Sequence, residues 1–107
     1  METLEFEDGY TIIEKGKQEP YVYIIKSGKV KVSLGTYEAL LSEELPDVFG
    51  LEALIDDPYT ETCIAVGTVK VIRCEKNEFK DIYVKTEVGK EALKSFMKRT
   101  AKALGWI

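Results

Sequence analysis

The feature that most restricts how this chain can fold is a change of hydrophobic period at Asn77. Before it, apolar residues come in short β-branched and aromatic runs broken by glycine, proline and acidic turns; after it they recur at helical spacing. Tyr10–Ile13 and Tyr21–Ile25 read as strands. Lys29 to Leu34 alternates strictly between polar and apolar, so one face is buried and the other wet. Lys26-Ser27-Gly28 reads as a tight turn, and Gly67-Thr68 as a hairpin turn between Thr62–Val66 and Val69–Cys74. Tyr37–Leu41 can be a strand or a short helix. About seven or eight short strands at near-regular spacing make an antiparallel sandwich or barrel.

Beyond the change of period, Asn77 reads as an N-cap with Glu78 in the first turn, and Phe79, Ile82 and Tyr83 share one face. Thr86 or Glu87 opens a longer helix that stops at Gly105. Its apolar residues Val88, Ala92, Leu93, Phe96, Met97, Thr100 and Leu104 cover about half the circumference. That is wider than docking on one surface requires. Lys90, Lys94, Lys98 and Lys102 repeat along the opposite side. The extra width predicts a homodimer through this helix, with Leu93, Phe96, Met97 and Leu104 as interface candidates. Trp106 and Ile107 would extend the contact. The plainer alternative is a helix that packs only on the barrel, its lysines solvating it.

A chain of 107 residues, 45% apolar and 32% charged, reads as one soluble domain spanning 1–107, with strands over about 4–75 and helices over about 77–104. No apolar run approaches a membrane span and no signal peptide is visible. Cys63 and Cys74 fit free thiols in a reducing cytoplasm. With no histidine, Ser-His-Asp and Cys-His nucleophile systems are excluded, and a zinc site is disfavoured. No Walker motif or Gly-x-Gly-x-x-Gly occurs. No carboxylate pair stands out for acid–base work, so neither catalytic residues, nor a metal, nor a cofactor is expected. The net charge of −4 hides an asymmetry: residues 1–69 hold 14 acidic and 5 basic side chains, and residues 70–107 hold 5 and 10. Overall acidity opposes nucleic-acid binding.

One stretch, Phe49 to Val66, stands out between the strands. Gly50 allows close approach of a backbone or ligand, Glu52–Ile55 can form one helical turn, and Asp56-Asp57-Pro58 leads into Thr62-Cys63-Ile64-Ala65-Val66. A helical turn fed from glycine leaves N–H groups free for an anion or a hydroxyl-rich ligand. A plain surface connection is the alternative. Between Lys31 and Lys70 there is no lysine or arginine, and eight carboxylates: Glu38, Glu43, Glu44, Asp47, Glu52, Asp56, Asp57 and Glu61.

Phe49-Gly50-x-x-Ala53-Leu54, the Pro58 region and Thr62-Cys63-x-Ala65 resemble the phosphate-binding cassette of the cyclic nucleotide-binding domain family. That family includes the catabolite activator protein, protein kinase A regulatory subunits and Crp/Fnr-like regulators. Phe6, Gly9, Ile12, Gly16, Tyr23-x-Ile25-x-x-Gly28-x-Val30-x-Val32 upstream, and Val69-x-Val71 and Phe79 downstream, extend the resemblance over nearly the whole chain. It implies an antiparallel β-roll, a double-stranded β-helix or jelly roll, with C-terminal α-helices. It also implies a regulatory role without catalysis and a helix that commonly dimerises. The pocket would be lined by Phe49, Gly50, Leu51, Glu52, Ala53, Tyr59, Thr60, Thr62 and Cys63. Crp/Fnr-like regulators continue into a DNA-binding domain, and no recognition helix can be placed in these residues.

The family pattern is Phe-Gly-Glu, then Pro-Arg, small residues and Thr or Ser. Its glutamate binds the ribose hydroxyl and its arginine the cyclic phosphate. Here Leu51 takes the glutamate position, Glu52 lies one residue later, and Tyr59 or Thr60 takes the arginine position. Losing a charged hydrogen bond to a buried phosphate costs on the order of 2–4 kcal/mol, and nearby carboxylates add repulsion. Only the N–H groups of Glu52 and Ala53 remain to hold a phosphate. Cyclic AMP and cyclic GMP are therefore not expected to bind in the micromolar range. Two roles follow: a sensor of another small molecule of unknown identity, or a dimerisation or interaction module with a vestigial pocket. A lysine or arginine entering the cavity from the far helix would remove this electrostatic argument.

Overall fold

The β-branched runs do become strands, but fewer and longer ones than their glycines predict. The computed structural model describes the chain except residues 43–46, 83, 84, 104, 106 and 107 and the side chains of residues 82, 88, 89, 92 and 93. Its strands are β1 (Glu2–Phe6), β2 (Thr11–Ile13), β3 (Tyr21–Leu34), β4 (Tyr37–Ser42), β5 (Val48–Phe49) and β6 (Thr62–Glu75). A 3-10 helix covers Leu51–Ile55, and helices α1 (Lys76–Ile82) and α2 (Glu87–Ala103) follow β6. Tyr37–Leu41 is thus extended, within β4.

Strands β3 and β6 form the spine, antiparallel from Tyr21 opposite Glu75 to Ser33 opposite Thr62. Strands β1 and β2 pair with the outer edge of β6, and β5 and β4 with the outer edge of β3. The result is an antiparallel β-roll with helices at its C-terminal end.

Two predicted turns are bends inside these long strands. Lys26-Ser27-Gly28 does not end β3, and Gly67-Thr68 does not make a hairpin in β6. The two sites face each other: Ser27 pairs with Lys70 and Lys29 with Val66, so the register slips on both strands there. Gly28 sits at φ 93°, and a Cβ added there would lie 2.6 Å from the Thr68 carbonyl oxygen. The glycine serves close backbone approach at a bulge rather than chain reversal.

The core follows from alternation. Val30 and Val32 of β3 face inward opposite Ala65 and Cys63 of β6, and all four are buried. Val22, Phe49, Val69, Val71, Cys74 and Phe79 are likewise fully buried, and the Tyr23 and Phe49 rings stack at 5.2 Å between centroids. Phe79 therefore points inward, as its helical position predicts.

The helix start differs from the expected N-cap. Helix α1 begins before Asn77, with Glu75 and Glu78 as caps: the Asn77 amide donates to Glu75 Oε2 (3.0 Å) and the Glu75 amide to Glu78 Oε1 (3.2 Å). At the other end, Gly105 adopts φ 76° and its amide donates to the Lys102 carbonyl, a left-handed stop to α2. Among the described residues, no helix is long and apolar enough to cross a membrane.

Candidate functional site

Phe49 is fully buried at the end of β5, which delivers the chain to Gly50 at φ 83°. A Cβ at Gly50 would press on the Tyr21 carbonyl at 3.0 Å and the Tyr59 ring at 3.2 Å, so the glycine lets the turn lie flat against both. The predicted helical turn is present as the 3-10 helix, and Asp56 closes it at φ 57°. One predicted feature of the turn is corrected. The Ala53 amide donates to the Gly50 carbonyl at 3.1 Å, so it is not free for a ligand. The Glu52 side chain is buried against the loop that follows Pro58.

That loop is held by the cassette itself. Glu52 Oε2 accepts from the Thr60 amide at 2.5 Å and from the Thr60 hydroxyl at 2.7 Å. These are short, charge-assisted bonds, the kind an anionic ligand would make to the same donors. Tyr59, at the first of the two candidate arginine positions, is 1% exposed and donates its hydroxyl to the Tyr21 carbonyl at 2.8 Å. Burial pushes this phenol up out of its ordinary titration range. Its backbone is bonded both ways, to the Gly16 amide and the Lys17 carbonyl, at 2.8 Å each. Tyr59 is thus a strut of the loop.

The expectation that the cassette contains no cation is overturned. Arg99 enters from α2 and is 4% exposed beside Glu61, which is 1% exposed. The guanidinium donates to Glu61 Oε2 at 3.1 Å and Oε1 at 3.3 Å, a bidentate pair, and to the Val48 carbonyl at 3.3 Å. It also reaches Ser95 Oγ at 3.3 Å, and that hydroxyl donates to Asp47 Oδ1 at 2.6 Å. Burial pushes the Glu61 carboxyl above the usual range, while Arg99 pulls it back. The cation is therefore present but already committed to an internal carboxylate.

The helix face that carries Arg99 is the docking face. Ser95, Phe96, Thr100 and Ala103 are half-buried with it, and Phe96 packs on the core. Lys90, Lys94, Lys98 and Lys102 are exposed on the outside, as is Met97 at 67%. Of the interface candidates, Phe96 is thus used by its own chain and Met97 faces solvent. Leu104 and the side chain of Leu93 lie outside the described residues.

The remaining site candidates divide between core and surface. Leu51 and Ala53 are buried in the core cluster, and Cys63 is fully buried with its thiol pushed well above its usual value by desolvation. Thr62 is half-buried and its hydroxyl accepts from the Lys15 amide at 3.1 Å. Thr60 is exposed and, with Lys15, Leu34, Gly35, Thr100 and Ala103, lines a hollow of about 330 Å³ between cassette and α2. Among the described residues no cluster of histidine, cysteine and carboxylates is placed to hold a metal.

Sequence reasoning missed Asp47, Glu61, Ser95 and Arg99 as a network. A signal existed: Ser95 and Arg99 are four apart on the apolar side of a helix whose other cations lie on the lysine stripe. Glu61 likewise falls where the resembled pattern has a small residue.

Comparison with known proteins agrees with this architecture. The cyclic nucleotide-binding domain model matches residues 3–86. A cAMP-dependent protein kinase regulatory subunit of Hypocrea atroviridis is 36% identical over 80 residues; the match takes in 74% of this chain and only 17% of that protein. Three solved structures share the fold. Sp-2Cl-cAMPS bound to PKAR CBD2 matches at TM-score 0.76 and 20% identity, covering 97% of this chain and 71% of that one. The cAMP-bound PfPKA-R (141-441) structure matches at 0.79 and 20%, covering 97% and 36%. The Thermus thermophilus catabolite activator protein matches at 0.71 and 19%, covering 98% and 52%. With the family model spanning most of the residues and the cassette in place between β5 and β6, this chain belongs to the cyclic nucleotide-binding domain family.

Proposed function

We propose that this is a non-catalytic regulatory domain whose cassette is occupied by its own side chains and does not bind cyclic AMP or cyclic GMP in the micromolar range. One observation carries the reading: both sets of strong donors in the cassette already hold a carboxylate. Thr60 holds Glu52, and Arg99 holds Glu61. A nucleotide phosphate would have to displace two buried, hydrogen-bonded anions and sit beside whatever negative charge remained. The arginine from α2 removes the argument from a missing cation and replaces it with one from occupancy.

In this reading α2 is fastened to the cassette without a ligand, and the domain acts through a protein partner or a second copy that meets the outer face of α2. The exposed Met97 and the lysine row are what that face offers. The two free cysteines suit a reducing compartment. A second reading has one specific support: the hollow beside Thr60 and Thr100 is large enough for a small metabolite. Isothermal calorimetry of the wild-type protein with cyclic AMP and cyclic GMP tests the principal reading. No saturable heat is expected up to millimolar nucleotide; a micromolar isotherm with either would refute it.

A further inference from the structure

Strand β4 closes one end of the sheet order, paired with β3 on one side and, among the described residues, with no strand on the other. Natural edge strands are blunted against further pairing by brevity, proline, lysine, a bulge or an inward charge. The other short strands here follow that rule: β2 and β5 are three and two residues long, and β1 carries the exposed acids Glu2 and Glu5. Strand β4 does not. Its six residues, Tyr37-Glu38-Ala39-Leu40-Leu41-Ser42, include no proline or lysine, keep an unbroken register with β3, and leave Leu40 56% exposed.

The turn before β4 sets which of its backbone groups are free. Gly35-Thr36 is a two-residue loop between the paired Leu34 and Tyr37, with Gly35 at φ 62°, as a type II′ turn requires. Such a turn is closed by hydrogen bonds between Leu34 and Tyr37, and the bonded pairs alternate from there: Val32 with Ala39, then Val30 with Leu41. The amides and carbonyls of Glu38, Leu40 and Ser42 therefore point to the open side. Their cross-strand partners are Ser33, Lys31 and Lys29, on the sheet face away from buried Val30, Val32 and Leu41.

We infer that this edge receives β4 of a second copy of the chain, antiparallel across a two-fold axis at Leu40, so that the two sheets run on as one. The strand is self-complementary in that register. The exposed leucines cover each other, and Glu38 faces Ser42 of the second copy, beyond which stands Lys29 of that copy, within reach of the carboxylate across the small serine. An axis at Ala39 would set Glu38 against Leu40, and one at Leu41 would set Leu40 against Ser42. Glu38, Leu40 and Ser42 of the two copies would exchange about six main-chain hydrogen bonds. The contact is separate from the outer face of α2 and from anything the cassette binds. So short an edge buries less than a standard interface, and the association is accordingly weak.

Sedimentation velocity and cross-linking test this. The wild type should pass from monomer to dimer between about 10 µM and about 1 mM. Leu40→Lys, which sets two ammonium groups against each other on an exposed face, should weaken this at least about tenfold. Glu38→Lys and Lys29→Glu should each weaken it, and Glu38→Lys/Lys29→Glu should restore it. Cross-linking reads the register without relying on affinity. Leu40→Cys places two Cα atoms about 5.5 Å apart across the axis, within disulfide range. In Glu38→Cys, equally open to solvent, they lie about 14 Å apart. Under mild oxidation Leu40→Cys should form the disulfide dimer at least about tenfold faster, while the native cysteines stay buried. A wild type still monomeric at the highest concentration, equal cross-linking of the two cysteine variants, or a dimer abolished by Met97→Glu on α2 but not by Leu40→Lys would overturn the inference. None of these outcomes bears on whether the cassette takes a nucleotide.

Discussion

Breaking the Arg99–Glu61 pair from one side should be among the most damaging single changes available to this domain. In Arg99→Met the helix keeps a long apolar side chain, but Glu61 stays 1% exposed with its guanidinium gone. The Val48 carbonyl and Ser95 also lose a donor. Removing one partner of a buried pair costs about 3–5 kcal/mol, a large part of the roughly 5–15 kcal/mol that holds a domain of this size together. The sign of the pH dependence follows. Burial already raises the folded-state value of Glu61, and Arg99 restrains it. Taking Arg99 away lets the value rise further, so the loss should be largest at neutral and alkaline pH. It should shrink as pH falls through the raised carboxyl range, where the buried acid becomes neutral. Replacing both partners, as Glu61→Met/Arg99→Met, removes the uncompensated charge and should recover most of the loss. Urea unfolding of the four members of this cycle at pH 7 and pH 5 gives the coupling energy, provided the denaturant slope stays constant. Single variants that each lose less than about 1 kcal/mol and add independently would refute the claim that this pair fastens α2 to the cassette.

Two further predictions follow from other parts of the fold. Gly28→Ala should destabilise by about 2–3 kcal/mol in urea, because φ 93° and a 2.6 Å contact with the Thr68 carbonyl both oppose a Cβ, whereas Gly35→Ala, with nothing within 4 Å, should cost less than half of that. Cys63 and Cys74 are both buried with thiols raised by desolvation, so a disulfide reagent should leave both unmodified at pH 8 until urea unfolds the protein; fast modification of native Cys63 would show that β6 opens.

How legible this was depended on whether a residue's role was local. The turn at Gly50, the short helix after it, the inward set Val30 and Val32, the burial of Phe79 and the left-handed stop at Gly105 all answer to neighbours within a few residues. They could be read from the chain. The glycines of the spine could not. Gly28 and Gly67 look like turn residues, yet each bends a strand whose partner bends opposite it, a fact of pairing some forty residues distant. Asn77 lost the cap to Glu75 because the acid at Glu78 could answer it reciprocally. The cassette was misread for the same reason. Its acids read as charges that repel a phosphate, and its cation is expected next to Pro58, while the guanidinium that pairs with Glu61 comes from 38 residues further along. The apolar arc of α2 predicts a dimer face, but Phe96 in that arc packs against the domain's own core.

The central claim is that the cassette's donors are already bonded to its own carboxylates. It is tested most directly by following the Thr60 amide and the Arg99 Nε–Hε signals by NMR while cyclic AMP is added to the wild-type protein. Both should begin slowly exchanging, the Thr60 amide far downfield for its short bond to Glu52, and neither should move up to millimolar nucleotide. A saturable shift of either signal at micromolar cyclic AMP would show that the nucleotide displaces Glu52 or Glu61, and would contradict the account.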